Sequence, residues 1–398
     1  MRATLDRLEQ FAIDVILERR FGKRAAVLRW FLQALSWLFR GGVQTRLWLY
    51  RHSFAKQHYP GVLVISVGNL TVGGTGKTPV VERLARTLKN GGRRVAILSR
   101  GYKAKKPPLL RRLQRKWLGM EKNKSRIVHD GERLLLDSRF AGDEPYMLAR
   151  SLKDVPVVVD KDRVRAAHHA VRDLRCDVLI LDDGMQYLTL GRRIEIVLVD
   201  CQAPFGNGYL LPRGTLREPP MNLRRASYIF LTKSDGADKA QLVEELRAFN
   251  RTAEIIETTH RPLYLQNLYD PADRRPLEFI EGKFIGVISG IARPESFEDK
   301  LRELGADLQI TKRFADHHRF SDDELSEFMA RAVRRDLDCI ITTEKDSVRF
   351  PYQFDALEVP IYFLRIEIEL LDGHESWKTF VDRLCTPQPV VAPRRFFA

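Results

Sequence analysis

The sequence predicts an α/β fold, a doubly wound parallel sheet with its site at the C-terminal ends of the strands. Three observations predict it. Runs such as V62-L-V-I-S-V67 are continuously apolar and β-branched, as strands buried on both faces are. Further runs follow with helical patterns between them. The first run leads straight into a glycine-rich turn and then a helix, the context of a phosphate-binding loop. With 398 residues and 44% apolar content, the chain has room for two domains and a large buried core.

The N-terminal part comes first. Leu28, Phe31, Leu32, Leu35, Leu38 and Phe39 recur at helical spacing, with Arg29, Gln33, Ser36 and Arg40 on the opposite stripe, so this is an amphipathic helix. Its apolar run is too short and too polar to span a membrane, which takes about 20 residues, and no small-residue cleavage site follows it. Trp30, Trp37, Trp48 and Tyr50 with Arg40, Arg46 and Arg51 suit a headgroup boundary. Docking on the protein's own core is the other reading.

The glycine loop is T71-V-G-G-T-G-K-T-P79. Against G-x-x-x-x-G-K-[ST], Gly76, Lys77 and Thr78 fit, while Thr71 stands where the first glycine belongs. Gly73 and Gly74 supply backbone freedom within the loop, and Thr71, Thr75 and Gly76 complete the candidate cradle. Lys77 is expected to reach the β and γ oxygens, and Thr78 to hold Mg²⁺. The helix is expected over P79-V-V-E-R-L-A-R-T-L88.

The strand R94-V-A-I-L98 leads into S99-R-G-Y102, and D177-V-L-I-L-D182 ends in Asp182-Asp183-Gly184. An apolar strand capped by acids is where a P-loop protein places its Mg²⁺ carboxylate. I194-E-I-V-L-V-D200 and Y228-I-F-L-T-K233 continue the alternation, and Asp200 competes for the metal role. T232-K-S-D235 resembles the guanine-reading [NT]-K-x-D element and keeps a nucleotide switch acting on a protein partner open as an alternative.

Charge narrows the partners. The net charge of +15 calls for an acidic one, whether nucleic acid, anionic lipid or a phosphorylated substrate. Residues 1–60 hold eleven Lys and Arg against four Asp and Glu, and 103–126 hold ten against Glu121 alone. Neither has the spacing of a common nucleic-acid module. The cysteines at 176, 201, 339 and 385 form no C-x-x-C pair, which fits a reducing compartment and no zinc site.

Eight motifs in fixed order carry a family resemblance. They are G68-N-L-T-V-G-G-T-G-K-T-P79, S99-R-G-Y102, G142-D-E-P145, D182-D-G-M-Q186, F205-G-N-G-x-L-L-P212, L216-R-E-P219, D316-H-H318 and T343-E-K-D346. Together, over roughly residues 35–375, the chain resembles the tetraacyldisaccharide 4′-kinases of lipid A biosynthesis. Threonine at the first loop position is a trait of that family. The resemblance implies an ATP- and Mg²⁺-dependent kinase. Its acceptor would be the 4′-hydroxyl of a tetraacylated glucosamine disaccharide 1-phosphate lipid, giving lipid IVA, at the cytoplasmic face of the bacterial inner membrane. It also implies a P-loop core, a smaller C-terminal α/β lobe and an N-terminal membrane-associated helix. The expected division is 1–58 for the basic amphipathic segment, 59–280 for the core, 281–375 for the lobe and 376–398 for the tail. An anionic lipid partner is then favoured over nucleic acid.

By resemblance, Asp143 is the candidate base and His317 its partner, with His318 the alternative to His317. A carboxylate–imidazole pair suits acid–base work near neutral pH. Asp143 also reads as a helix N-cap. Arg217, Glu218, Gln186 and Tyr102 are implied substrate-side residues. Glu344, Lys345 and Asp346 either join the site or cap a helix. Lys161, Asp162 and Arg163 edge it. His168 and His169 read as a solvated or docking helix face. Two departures stand out. Tyr187 takes the place of the histidine that usually follows D-D-G-x-Q, and 103–126 is longer and more basic than the family leads one to expect.

Overall fold

The structure is a computed structural model, and it describes residues 10–101, 125–236, 239–355 and 357–386. Tyr102 and nearly all of the basic 103–126 stretch lie outside the described residues. The chain forms two compact units. The first takes Met1–Leu98, Asp162–Thr259 and Leu370–Ala398, and the second takes Ser99–Lys161 and His260–Glu369.

In the first unit, Leu63–Asn69 runs parallel to Val178–Asp182 on one side and to Ile194–Asp200 on the other. Val95–Ser99 extends the sheet beyond Val178–Asp182. Tyr228–Thr232 and then the Glu254–Asn267 strand extend it beyond Ile194–Asp200, all parallel. Every residue of Val178–Asp182 and Tyr228–Thr232 is buried, which is why these runs are apolar without alternation. The chain first builds outward on one side of Leu63–Asn69 and then returns to its other side. The glycine loop therefore leaves the sheet at a topological switch point, where open α/β sheets bind ligands. Helix Lys77–Asn90 follows the loop, and the C-terminal helix His374–Cys385 returns to pack by it. That return is held by Arg93, which donates to the Leu384 carbonyl at 2.8 Å, and by Trp377 and Phe380 against Phe230 and Tyr228.

The N-terminal helix runs Lys23–Arg51. It docks on this unit through polar groups. Ser36, from the polar stripe, is buried and donates to the Leu210 carbonyl at 3.0 Å. Gln44 bonds Asn222, and Tyr50 bonds Thr189. Phe31 and Leu38, from the apolar stripe, are 54% and 73% exposed, and Trp30 and Trp37 are 75% and 64% exposed. Among the described residues no helix is long and apolar enough to cross a membrane.

In the second unit, Asp307–Arg313, Phe284–Ser289, Cys339–Thr343 and Ile361–Asp372 form a parallel sheet in that spatial order. Helices Pro294–Glu303 and Asp322–Arg334 join its strands. Leu325, Phe328, Met329 and Ala332, at helical spacing on Asp322–Arg334, pack into a core with Ile288, Ile340 and Ile361. Ser321 and Glu324 close a capping box at the start of that helix. The same unit contains the antiparallel pair Arg126–His129 with Val157–Val159, and helix Asp143–Ser151 between them.

Candidate functional site

The phosphate loop is built in the first unit. Thr71 forms an antiparallel bridge with Leu216, and the neighbouring amides close it: Val72 N donates to the Thr215 carbonyl, and Arg217 N to the Leu70 carbonyl, each at 2.7 Å. The loop entry is thus extended, and Thr71 is not among the residues of positive φ. Glycine's freedom is unnecessary there, and this accounts for the threonine. Gly76 does need it: it stands at φ 77 as the N-cap of helix Lys77–Asn90. Gly68 is fixed by close approach instead. A Cβ on it would lie 2.6 Å from Met185 Cβ and 2.8 Å from Met185 N, so the D-D-G-M-Q turn lies directly on the strand end.

Lys77 donates to Asn69 Oδ1 at 3.0 Å and lies 3.5 Å from Asp183 Oδ1. Asn69 donates in turn to the Thr71 carbonyl at 2.8 Å, tying the lysine's support to the loop entry. Arg217 Nη1 donates to both oxygens of Asp183, at 2.8 and 2.9 Å. Burial pushes the Asp183 carboxyl up, but Lys77 and Arg217 outweigh it and hold it below the ordinary value. Gln186 donates to the Asn69 carbonyl and to Glu218, both at 3.2 Å. Glu218 is buried and also takes Asn222 and Arg225 at 2.8 and 2.7 Å. Lys77, Asp183, Gln186, Arg217 and Glu218, chosen from three separate motifs, thus meet in one network.

Asp182 ends its strand almost fully buried. Among the described residues no three His, Cys, Asp or Glu side chains gather to cage a metal. The donor set at hand, the Thr78 hydroxyl with the Asp182 and Asp183 carboxylates, is all hard oxygen. That suits Mg²⁺, which binds through one or two carboxylates and substrate phosphates rather than a protein cage. Thr75 Oγ1, buried in the loop, has no hydrogen-bond partner among the described residues, as expected of a cradle that binds an anion. Asp200 pairs with Lys233. Of T232-K-S-D235, Thr232 donates to the Thr75 carbonyl at 3.1 Å and Asp235 accepts from Thr259 at 2.7 Å, so this element is engaged internally.

Tyr187 serves a helix start. Its hydroxyl accepts from Arg163 N at 3.0 Å, and the Arg163 guanidinium lies 4.9 Å from its ring centre. Asp162 caps the same helix by accepting from Val164 N and Arg165 N. Lys161 is exposed. On that helix His168 is exposed and His169 pairs with Asp173 at 3.5 Å.

The second cluster lies within the second unit. Asp143 begins helix Asp143–Ser151, yet the N-cap is Gly142 and no side chain caps the helix. The Asp143 carboxylate is turned instead to one imidazole and two guanidiniums. Oδ2 takes His317 Nδ1 at 3.0 Å and Arg349 Nε at 2.8 Å, and Oδ1 takes Arg319 Nη2 at 3.0 Å. A carboxylate this close to Nδ1 assigns the proton to that nitrogen. Burial raises the Asp143 carboxyl, and His317, Arg349 and Arg319 more than offset that, leaving it below the ordinary value.

Between the two histidines the geometry decides. His318 bonds Glu324 at 2.9 Å and stacks on Phe314, supporting the next helix start, whereas His317 holds Asp143. Asp346 is fully buried against Arg349, the Thr343 hydroxyl and Gly290 N, Glu344 pairs with Arg365, and Lys345 lies 3.4 Å from Asp316. The sequence reading missed Asn69, Arg319 and Arg349. Asn69 lies inside a quoted motif and Arg319 adjoins one, which is a usable signal. Arg349, three residues past Asp346 in a turn, looks like any of the chain's many arginines.

The fold and the loop define a P-loop nucleotide-binding α/β protein. The family model for tetraacyldisaccharide-1-P 4′-kinase matches residues 28–386. A tetraacyldisaccharide 4′-kinase of Elusimicrobium minutum is 37% identical over 362 residues, covering 89% of this chain and 91% of that one. One of Anaeromyxobacter dehalogenans is 40% identical over 341 residues, covering 84% and 85%. The crystal structure of the "apo" form of LpxK from Aquifex aeolicus in complex with ATP superposes with a TM-score of 0.70 at 29% identity, covering 90% of this chain and 99% of that one. This chain belongs to the tetraacyldisaccharide-1-P 4′-kinase family. It is a kinase, and the nucleotide-switch alternative finds no support.

Proposed function

We propose that this chain transfers the γ-phosphoryl group of ATP to the 4′-hydroxyl of a tetraacylated glucosamine disaccharide 1-phosphate, forming lipid IVA. The family match over 28–386 carries this reading. Lys77 and the loop amides bind the β and γ phosphates. Thr78, Asp182 and Asp183 would hold Mg²⁺, which supplies charge neutralisation on the phosphates. Arg217, Glu218, Gln186 and Tyr102 serve the substrate side. The acceptor oxygen bonds to the γ-phosphorus as the bond to the β-γ bridging oxygen breaks and ADP leaves. Asp143 takes the hydroxyl proton, and His317 orients it and tunes its proton affinity.

A lipid substrate is supported by the N-terminal helix, whose exposed Trp30, Phe31, Trp37 and Leu38 accompany a basic segment. Beside it Trp37, Tyr209, Leu210, Leu216, Met221 and Phe249 line a largely apolar hollow of about 320 Å³. We place the chain at the cytoplasmic face of the inner membrane, held peripherally through residues 1–58. The remaining division into a 59–280 core, a 281–375 lobe and a 376–398 tail is part of the same proposal.

The test is transfer of labelled γ-phosphate from ATP to tetraacyldisaccharide 1-phosphate in detergent micelles, with GTP as a parallel donor. Product from ATP is expected. A folded, ATP-binding protein that yields none would overturn the reading.

A further inference from the structure

We infer that Arg349 is a positioning residue for the proton acceptor: wholly buried, it fixes the Asp143 carboxylate and the His317 loop in one geometry and leaves proton uptake to Oδ1, the oxygen it does not hold. The inference rests on the reading of Asp143 as that acceptor.

The Arg349 side chain has no exposed surface, so it cannot itself touch a substrate. Nε donates to Asp143 Oδ2 at 2.8 Å, and Nη1 donates to Asp346 Oδ1 at 2.7 Å and to the Gly290 carbonyl at 2.9 Å. Nη2 lies 3.2 Å from His317 Nδ1. The Gly290 carbonyl also accepts from His317 N at 3.3 Å, and Gly290 N donates to Asp346 at 3.0 Å. One planar fork of donors thereby joins a helix start, a strand end, the His317 loop and the turn at 344–347. His317 stands at φ 68, a conformation that its surroundings must hold in place. Lysine would keep the charge and lose the fork.

Occupancy of the carboxylate follows from this. Oδ2 is taken twice, by His317 and by the buried Arg349, while among the described residues Oδ1 carries only Arg319, which is 34% exposed and also donates to the Ser138 hydroxyl and carbonyl, at 3.1 and 3.0 Å. The charged groups facing Asp143 are His317, Arg319 and Arg349. Beyond them, Asp316 is 3.8 Å from His317 and 3.4 Å from Lys345, Asp346 backs Arg349, and Asp137 and Arg139 act on Arg319. Replacing the Arg349 guanidinium by an uncharged side chain takes away one of the two guanidiniums on Asp143, so the proton affinity of Asp143 rises.

The experiment uses the full chain and the labelled-phosphate assay across pH, with Arg349→Lys, Arg349→Met and Asp143→Asn beside the wild type. Folding is followed by thermal unfolding, and ATP affinity is measured separately. Arg349→Lys, which loses the fork, is expected to lose about 10-fold or more in kcat with KM nearly unchanged, and in Arg349→Met, which also loses the charge, the acid limb of the rate profile should move to higher pH. A merely structural arginine would change unfolding and leave that limb in place. A folded Arg349→Lys protein with wild-type kcat, or a folded Arg349→Met protein with an unmoved limb, overturns the inference. If Asp143→Asn keeps the wild-type rate, the acceptor reading itself fails. If Asp143→Asn collapses while Arg349→Lys does not, only the positioning role falls. Should the Arg349 variants not fold, Asp346→Asn decides: it removes a negative charge behind Arg349, and the limb should move to lower pH. An unmoved limb there overturns the inference as well.

Discussion

His317 Nδ1 lies 3.0 Å from Asp143 Oδ2 although 174 positions separate the two residues. The pair needs a helix start and a loop of positive φ to be brought together, and it is flanked by Arg319 and Arg349.

Asp143→Asn is therefore expected to lower phosphate transfer by about 100-fold or more, and His317→Gln by about 10-fold, with ATP affinity unchanged. The stability of the pair depends on pH in a definite direction. The Asp143 carboxyl is depressed in the folded state, so its contribution is full above the ordinary carboxylate value and is lost as pH falls through the folded value. The gap in unfolding free energy between wild type and Asp143→Asn should hold at neutral pH and shrink below about pH 4. A gap that grows on acidification would contradict this assignment of charge.

Restoring the glycine of the generic loop pattern should gain nothing. Thr71 is extended and bridged to Leu216, so Thr71→Gly should cost about 0.5–1 kcal/mol of stability through backbone entropy. ATP affinity measured by titration calorimetry should not improve, and an improvement would show that the threonine obstructs the loop.

Gly68→Ala should be costly for a different reason. Its new methyl would meet the Met185 backbone nitrogen at 2.8 Å, an atom that cannot swing aside. A loss of about 1–3 kcal/mol is expected in chemical denaturation, together with weaker ATP binding as the 182–186 turn is displaced.

Tyr187→Phe separates support from chemistry. It removes the acceptor for Arg163 N but keeps the ring beneath the guanidinium, so about 1 kcal/mol of stability should be lost. Transfer activity should stay within about 2-fold of wild type. A collapse in activity would give the phenol a role in the reaction.

The N-terminal helix offers a test of surface binding. Trp30→Glu with Leu38→Glu places charges on the two most exposed large apolar side chains of the helix, at 75% and 73% exposure. Sedimentation with anionic vesicles should fall sharply while unfolding is unchanged. Retention of full binding would move the contact elsewhere.

Much of this was legible in the sequence because it is local. Buried parallel strands need continuous apolar runs, so Leu63–Asn69, Val178–Asp182 and Tyr228–Thr232 were found nearly to the residue. A glycine loop between strand and helix can be read from order alone, and eight ordered motifs named the family before any geometry was known. The structure decided what depends on distance between remote positions. It put His317 rather than His318 on Asp143, because ring orientation in a loop leaves no trace in composition. It turned Ser36 of the polar stripe inward and left Phe31, Leu38 and Phe39 of the apolar stripe exposed, because Ser36, Gln44 and Tyr50 find partners on the protein surface. It also drew Arg349 out of a strongly basic chain, since a buried guanidinium is recognised by the partners that enclose it, and besides the neighbouring Asp346 those come from three distant segments, at Asp143, Gly290 and His317. Sequence periodicity fixes what each segment is; only packing fixes which segments share a charge.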